Sequence, residues 1–492
     1  MKKFYITTPV YYVNDKPHIG HAYTSVAGDA LARARKLQGD EVFLLTGTDE
    51  HGLKIQKKAE EAGKDPQTYA DEIASEFKNL WDKLDIKYDA FIRTTDEKHK
   101  TAVQKVLQTL FDKGAIYRGF YRGLYCVGCE QFKNEGDLVN GRCPDHDTDC
   151  EIVKEESYLL KMEALQNELI GKIEKDEFKI RPEKYKKEIL SFLKGEKLKD
   201  VSISRKNVKW GIPLPFDAEH TTYVWFDAFL NYLTGLGWDG NSNFFQSPAF
   251  PFLKQSSRNS SKPDFSKFWP ADVQLIGKDI LRVHATIWPV MLMHLGIPLP
   301  KLLFTHGHLL SGGRKMSKTI GNVIGIDEML EKFGKDGTRY LLMSAGTFGE
   351  DVDVTMERMI EKYNADLANG LGNLLSRVLK LNDGELDSKE RIMNIDISSC
   401  FDLMKFDDAL NIIWSSVVTA DNKFIEENKP WELKKTDEKK FQEVMQKLIS
   451  DLYFISELLI PFMPDTSDKI KKALETKEVT ALFPRINTKF NE

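Results

Sequence analysis

Two short segments of this 492-residue chain carry side chains suited to handling phosphate. In Pro17-His18-Ile19-Gly20-His21, two imidazoles stand three residues apart. At a helix start that spacing puts both on one face. Free backbone N–H groups and the positive end of the peptide dipole lie there too, and both favour anions. Pro17 suits the first turn, and Gly20 would admit a ligand close to the backbone. In Arg314-Lys315-Met316-Ser317-Lys318-Thr319, two lysines again stand three apart, between Ser311-Gly312-Gly313 and Gly321-Asn322. Ammonium groups on a glycine-flanked loop can clamp a polyphosphate as mobile point charges. Taken singly, each segment also reads as ordinary surface, a histidine pair or a solvated basic loop. No glycine-rich loop ending in Gly-Lys-Ser or Gly-Lys-Thr occurs, so a P-loop is not expected.

A third cluster has the spacing of a metal site. Of the 5 cysteines, Cys126, Cys129, Cys143 and Cys150 crowd one segment, and Cys400 stands apart. An odd, clustered set argues for metal rather than a disulfide framework. Cys126-Val-Gly-Cys129 followed by Cys143-Pro-Asp-His146 supplies four ligands for tetrahedral zinc, with Cys150 a rival for the fourth place. Four protein ligands close the coordination sphere, so such a zinc is structural.

These groups need a scaffold. Residues 4–8 read as a buried strand, 14–17 as a turn, 18–37 as a helix ended by Gly39-Asp40, and 41–46 as a second buried strand. That is a βαβ unit opening a parallel, helix-covered sheet. Runs at 273–276 and 302–305 suit the same sheet, with helices at 280–295 and 326–333. Such sheets bind nucleotides beyond the carboxyl ends of their strands. Between 116 and 225, aromatics, glycines and cysteines crowd together as in an insertion, and 241–266 reads as a long surface loop. Helical patterns at 356–381, 399–427, 437–459 and 466–474 predict an α-helical bundle. The expected order is a Rossmann-like α/β domain (1–115 and 226–325) split by a connective insertion (116–225). A linking segment (326–355) and a helical domain (356–492) follow.

The bulk numbers agree with this organisation. The length exceeds what one hydrophobic core holds. Apolar residues make up 41% and charged residues 29%, ordinary for a globular chain. A net charge of -5 rules out a uniformly basic nucleic-acid binder but leaves room for a local basic face. No run approaches the ~18 apolar residues of a membrane helix. The N-terminal apolar run is interrupted by Thr7, Thr8 and Pro9 and reads as a strand rather than a signal peptide, so a cytoplasmic location is expected.

Together the two phosphate segments resemble the HIGH and KMSKS motifs of class I aminoacyl-tRNA synthetases. Thr319 replaces the final serine and keeps its hydroxyl. Most of the chain is similar to the methionyl-tRNA synthetases of that class. The resemblance implies ATP, with Mg2+, held by His18, Gly20, His21, Gly277, Asp279, Lys315, Ser317 and Lys318. Of these, His18, His21, Lys315 and Lys318 would stabilise the reacting phosphorus and the departing pyrophosphate. Thr7-Thr8-Pro9-Val10-Tyr11-Tyr12, Gly47-Thr48-Asp49-Glu50-His51-Gly52, Tyr223-Val224-Trp225-Phe226-Asp227-Ala228 and Ile276-Gly277-Lys278-Asp279-Ile280 resemble the family's segments around methionine and the ribose. They imply a methionine pocket of Val10, Tyr12, Asp49, Trp225, Ala228, Tyr232, Ile280 and His284, with Asp49 on the ammonium. Aromatic walls suit a thioether, at ~0.3–1.5 kcal/mol per sulfur–ring contact; without the resemblance, Trp225 in its apolar run reads as core. Ser204-Arg205 resembles a further family pair.

The resemblance also favours His146 over Cys150 as the fourth zinc ligand, as in the family's single-knuckle bacterial form. It assigns the insertion to guiding the acceptor end of tRNA. Asn373-Leu-Leu-Ser-Arg377 and Asn428-Lys-Pro-Trp431 resemble the anticodon-reading segments, so Asn373, Arg377 and Trp431 are expected to meet tRNA(Met). Unpaired bases are read by stacking and edge hydrogen bonds. No counterpart of the C-terminal dimerisation domain of some relatives follows the bundle, so a monomer is expected, with no membrane partner. The rival is another class I synthetase. The leucine, isoleucine and valine enzymes need an editing insertion for which the chain has no room. The cysteine enzyme resembles the Trp225 and His284 segments poorly.

Overall fold

The computed structural model describes residues 1–126, 131–133, 138–144, 148–241, 265–316, 322–382, 395–478 and 481–487. Two compact units divide the chain. One comprises Met1–Pro17, Glu41–Leu80 and Tyr88–Thr305, the other His18–Asp40, Trp81–Lys87 and His306–Glu492.

The first unit is built on a six-stranded sheet. Its strands are β1 (Lys3–Tyr12), β2 (Glu41–Asp49), β3 (Ala90–Arg93), β4 (Lys179–Arg181), β5 (Val273–Gly277) and β6 (Leu302–His306), in the spatial order β3-β2-β1-β5-β6-β4. β1 runs parallel to β2 and β5, β2 to β3, and β6 to β4. β1 and β2 are buried along nearly their whole length, as expected of strands covered on both faces. Both run several residues past the expected ends. Pro9 cannot donate to the ladder, and the register shifts between Thr7 and Val10, so a bulge absorbs it and pairing resumes. That resumption sets Val10 opposite Gly47 and Tyr12 opposite Asp49. Gly47 has no alternative, because a Cβ there would fall 2.0 Å from the Ile92 carbonyl oxygen.

The core under the sheet includes Tyr5, Leu45, Val103, Phe226, Phe229, Trp288 and Leu303. The sequence texture change at 116 marks a separate antiparallel sheet, in which Ile116–Cys126 pairs with Glu151–Leu160 over its length. Most of the expected loop at 241–266 lies outside the described residues; Phe265–Phe268 forms a helical turn.

The second unit begins with α1 (Ile19–Leu37), whose Ala22, Tyr23, Val26, Ala27, Ala30 and Leu31 are all buried. A small sheet of Leu309–Ser311, Arg314–Lys315 and Val352–Asp353 follows in sequence. α2 (Ile326–Met343) runs ten residues beyond the expected helix (343 − 333). It breaks at Gly334, whose φ of 69° suits glycine, and then resumes with Asp336 to Met343 buried. From Met356 to Leu381 the chain is helical throughout, with a wide-turn stretch at Tyr363–Gly372 and α3 (Asn373–Leu381) at its end. The expected helix at 399–427 is interrupted where Met404 takes a φ of 56°. Its last segment is α4 (Ala420–Asn428), followed by α5 (Pro430–Thr436) and α6 (Glu438–Leu459). Among the described residues no helix is long and apolar enough to cross a membrane.

Candidate functional site

In the second unit, His18 is the N-cap of α1, and the two histidines use their own rings to finish the helix start. His18 Nδ1 accepts the Gly20 backbone N–H at 3.1 Å, and His21 Nδ1 accepts the His18 N–H at 3.2 Å. The rings stack with centroids 3.7 Å apart. The backbone N–H groups of His18 and Gly20 are thus taken up by the two rings. A ring whose Nδ1 accepts keeps its proton on Nε2 when neutral, so each ring carries an Nε2–H donor. A Cβ at Gly20 would lie 3.0 Å from the His18 ring, so any larger residue there would have to push that ring aside.

The lysine-bearing segment opens as a tight hairpin. Ser311 pairs with Arg314 and Leu310 with Lys315. Gly312 and Gly313 both take positive φ, 62° and 72°, the pattern of the two-residue turn that matches strand twist. Asp353 Oδ1 accepts the Gly313 N–H at 2.9 Å and steadies the turn. Ser317, Lys318 and Thr319 lie outside the described residues.

The first unit gathers the residues expected around an amino acid. Val10 and Tyr12 on β1 lie beside the end of β2, where Asp49 is 8% exposed. Trp225 and Ala228 sit on the helix Val224–Phe229, and the buried Tyr232 follows on the next turn. Gly277 ends β5, and Asp279 and Ile280 form the single turn Lys278–Ile280, with Asp279 exposed. His284 lies one turn further, on the helix Leu281–Leu295.

His284 Nδ1 donates to the Ile280 carbonyl at 2.9 Å, so Nε2 accepts from the Tyr232 phenol at 2.8 Å. Burial pushes His284 down to about 4, which keeps the ring neutral, and burial raises the Tyr232 phenol. Phe229 meets the His284 ring edge-on at 5.0 Å, and Trp288 lies 5.6 Å from Tyr232. Neither Phe229 nor Trp288 was singled out from sequence, because apolar aromatics in helices look alike there. The Trp225 indole N–H has no hydrogen-bond partner within the described structure.

Two side-chain pairings hold this wall, and neither is legible from spacing. Glu50 takes Arg93 in a fork at 2.7 and 2.8 Å and also accepts the Thr95 hydroxyl. His51 Nδ1 lies 2.7 Å from Asp227 Oδ2. The pair joins the strand end bearing Asp49 to the helix bearing Trp225. Burial raises the Asp227 carboxyl, and the facing imidazole partly offsets this. Arg205, of the Ser-Arg pair, is buried with its guanidinium 4.2 Å from the Tyr223 ring centroid.

Elsewhere, Arg377 on α3 stands with its guanidinium carbon 5.7 Å from the Trp431 ring centroid and pairs with Glu426 at 2.7 Å. Trp431 is 38% exposed and Asn373 is exposed on the same helix as Arg377. In the insertion, Cys126 and Cys143 are fully buried. Cys143 pairs in register with Thr148, whose hydroxyl lies 3.8 Å from Cys126 Sγ. The two thiols therefore converge on one hairpin. Cys129 and His146 lie outside the described residues, among which no set of three metal-ligating side chains gathers.

Residues 4–152 and 136–379 match the family described as class I tRNA synthetases (M). Residues 387–489 match the anticodon-binding domain of methionyl tRNA ligase. Sheet, histidine-capped helix and helical C-terminal domain are thus those of a class I aminoacyl-tRNA synthetase. The methionine–tRNA ligase of Clostridium acetobutylicum is 44% identical over 96% of this chain and 73% of its own length. That of Caldanaerobacter subterraneus is 43% identical over 97% and 74%. A structure of Mycobacterium tuberculosis methionyl-tRNA synthetase with methionyl-adenylate superposes with a TM-score of 0.87 at 33% identity, covering 99% of this chain and all (100%) of that one. The chain belongs to the methionine–tRNA ligase family.

Proposed function

We propose that this chain activates L-methionine with ATP, releasing pyrophosphate, and transfers the methionyl group to tRNA(Met). The observation that carries the reading is the register of β1 on β2, which sets Val10 and Tyr12 beside Gly47 and Asp49. One carboxylate among apolar and aromatic walls suits an amino acid with an uncharged side chain. Asp49 takes the ammonium. The neutral Tyr232–His284 pair, with Trp225, Ala228 and Ile280, offers the thioether polarisable walls and no charge.

The methionine carboxylate oxygen then bonds to the α-phosphorus as the bond to the bridging oxygen breaks, and pyrophosphate departs. The Nε2–H groups of His18 and His21, with Lys315, Ser317 and Lys318, meet the negative charge that develops. Gly277 and Asp279 hold the ribose. Catalysis of this kind is positional and electrostatic and needs no covalent enzyme intermediate. ATP enters with Mg2+.

Zinc is assigned to Cys126, Cys129, Cys143 and His146, supported by two buried thiols, Cys143 paired with Thr148 and Cys126 beside the Thr148 hydroxyl; it would hold the insertion (116–225) in shape. Asn373, Arg377 and Trp431 are assigned to the anticodon, within a helical domain at 356–492 that follows the split α/β domain. A cytoplasmic monomer is the working state. ATP–pyrophosphate exchange with each of the twenty amino acids tests the central reading. Methionine should drive exchange far above the others; exchange driven by cysteine, or by none, overturns it.

A further inference from the structure

Arg339, on α2, is fully buried and satisfies its guanidinium on four acceptors. Nε donates to the Phe462 carbonyl at 2.8 Å and Nη1 to the Leu84 carbonyl at 3.1 Å. Nη2 donates to Asp29 Oδ2 at 2.6 Å and to the Pro461 carbonyl at 2.9 Å. Asp29 lies on α1, the helix whose first residues are the stacked histidines. It also accepts Arg33 Nε at 2.8 Å and the Lys87 backbone N–H at 2.9 Å.

A second tie joins α1 to the chain leading into the lysine-bearing hairpin. Thr24 Oγ1 lies 2.7 Å from His306 Nε2, while His306 Nδ1 donates to the Gly307 carbonyl at 2.8 Å. Tyr23 and Phe348 pack on the His306 ring at 5.5 and 5.1 Å. Three residues beyond His306, Leu309–Ser311 begins the hairpin that carries Gly312-Gly313 in its turn and Lys315 on its second strand.

Stability alone does not call for this chemistry. Well-packed apolar residues usually serve a core as well as a buried ion pair does. A planar guanidinium on four fixed acceptors adds geometry: its bonds are all made at one relative placement of α1, α2, the 84–87 turn and the end of α6. α1 begins at the histidine pair, and Lys315 belongs to the hairpin just before α2 in sequence. We infer that Arg339, through Asp29, is a positioning residue, and that with the Thr24–His306 contact it fixes the histidine pair relative to the lysine-bearing loop. The inference rests on the proposed adenylate-forming reaction, in which both elements face one triphosphate.

The test uses the full chain, with active-site titration to count competent sites and pyrophosphate exchange to give the rate per site. Arg339→Lys keeps a charge against Asp29 and loses the fork. Thr24→Val removes the second tie, together with the longer contact of the Thr24 hydroxyl with the Gly20 carbonyl at 3.3 Å. Misplacing reacting groups by ~1 Å costs about 100-fold, so the expected fall in rate per site is about 10- to 100-fold for Arg339→Lys and smaller, but above about three-fold, for Thr24→Val. KM for methionine should stay within about two-fold in both, because Asp49 and the aromatic walls belong to the first unit. A residue that merely stabilises would lower the number of competent sites and leave the rate per site alone. Rates per site within two-fold of wild type overturn the inference. If Arg339→Lys fails to fold, Thr24→Val decides by the same criterion. A wild type that shows no methionine-dependent exchange would instead sink the reaction assignment, a separate failure.

Discussion

Trp431→Ala should separate tRNA charging from amino-acid activation. The indole stands on α5, just after Lys429, whose left-handed φ of 43° turns the chain. It is 38% exposed, and its described cationic neighbour is the Arg377 guanidinium at 5.7 Å. An exposed cation–π contact contributes ~0.5–1 kcal/mol, so its loss should lower Tm by a few degrees at most. A base stacked on the ring is worth ~1–3 kcal/mol, which corresponds to about 5- to 150-fold in charging efficiency. Exchange, needing only methionine and ATP, should stay within about two-fold of wild type.

Glu426 gives a check of opposite sign. Its side chain is 64% exposed and pairs with Arg377 at 2.7 Å, and such pairs contribute ~0–1 kcal/mol. Glu426→Gln frees Arg377 for a base at little cost to the fold, so charging should hold or rise. The assays are aminoacylation of tRNA(Met) and pyrophosphate exchange on the same preparations. If Trp431→Ala damages exchange as much as charging, or if Glu426→Gln abolishes charging while Trp431→Ala spares it, this face does not read tRNA.

Three further outcomes are expected. His21→Ala removes a transition-state donor worth ~2.7–4 kcal/mol, so adenylate formation should slow about 100- to 1,000-fold with methionine affinity little changed; near-normal rates in a rapid-quench assay would refute the assignment. Elemental analysis should find one zinc per chain, and of His146→Ala and Cys150→Ala only the true ligand's loss should release it to a chelator. Burial pushes His284 down to about 4 and His99 to about 3, against an ordinary 6.5. Below that ordinary value the unfolded chain binds protons that the folded one refuses, so stability is fully present above about pH 6.5 and falls as acid is added toward pH 4. A denaturant midpoint flat from pH 7 to 4 would contradict both burials.

The extent to which this fold could be read in advance follows from the range of each signal. Strand and helix periodicity is local, so the βαβ start, the sheet strands and the C-terminal helices stood close to where the structure has them. Where local signals mislead, the cause is identifiable. Pro9 reads as the end of β1, and only the partner strand shows that a bulge carries pairing on to Tyr12. Gly334 reads as the end of α2, yet the buried run Asp336 to Met343 restarts the helix. His18-Ile19-Gly20-His21 is recognisable by type, but that the rings cap their own helix is a matter of rotamer, which no spacing encodes.

Charged residues are the hardest to place, because composition puts them on the surface and burial happens only when distant partners converge. Arg93 finds Glu50, His51 finds Asp227, and Arg339 finds Asp29 and backbone carbonyls from two other places in the chain. Glu50, His51 and Asp227 belong to segments that motif recognition assigns to the reaction, whereas Arg93, Asp29 and Arg339 do not. A motif names the groups that touch substrate. Arg339 and Asp29 lie outside the motifs, and changing Arg339 while every motif residue stays intact measures how much of the rate the distances between those groups supply.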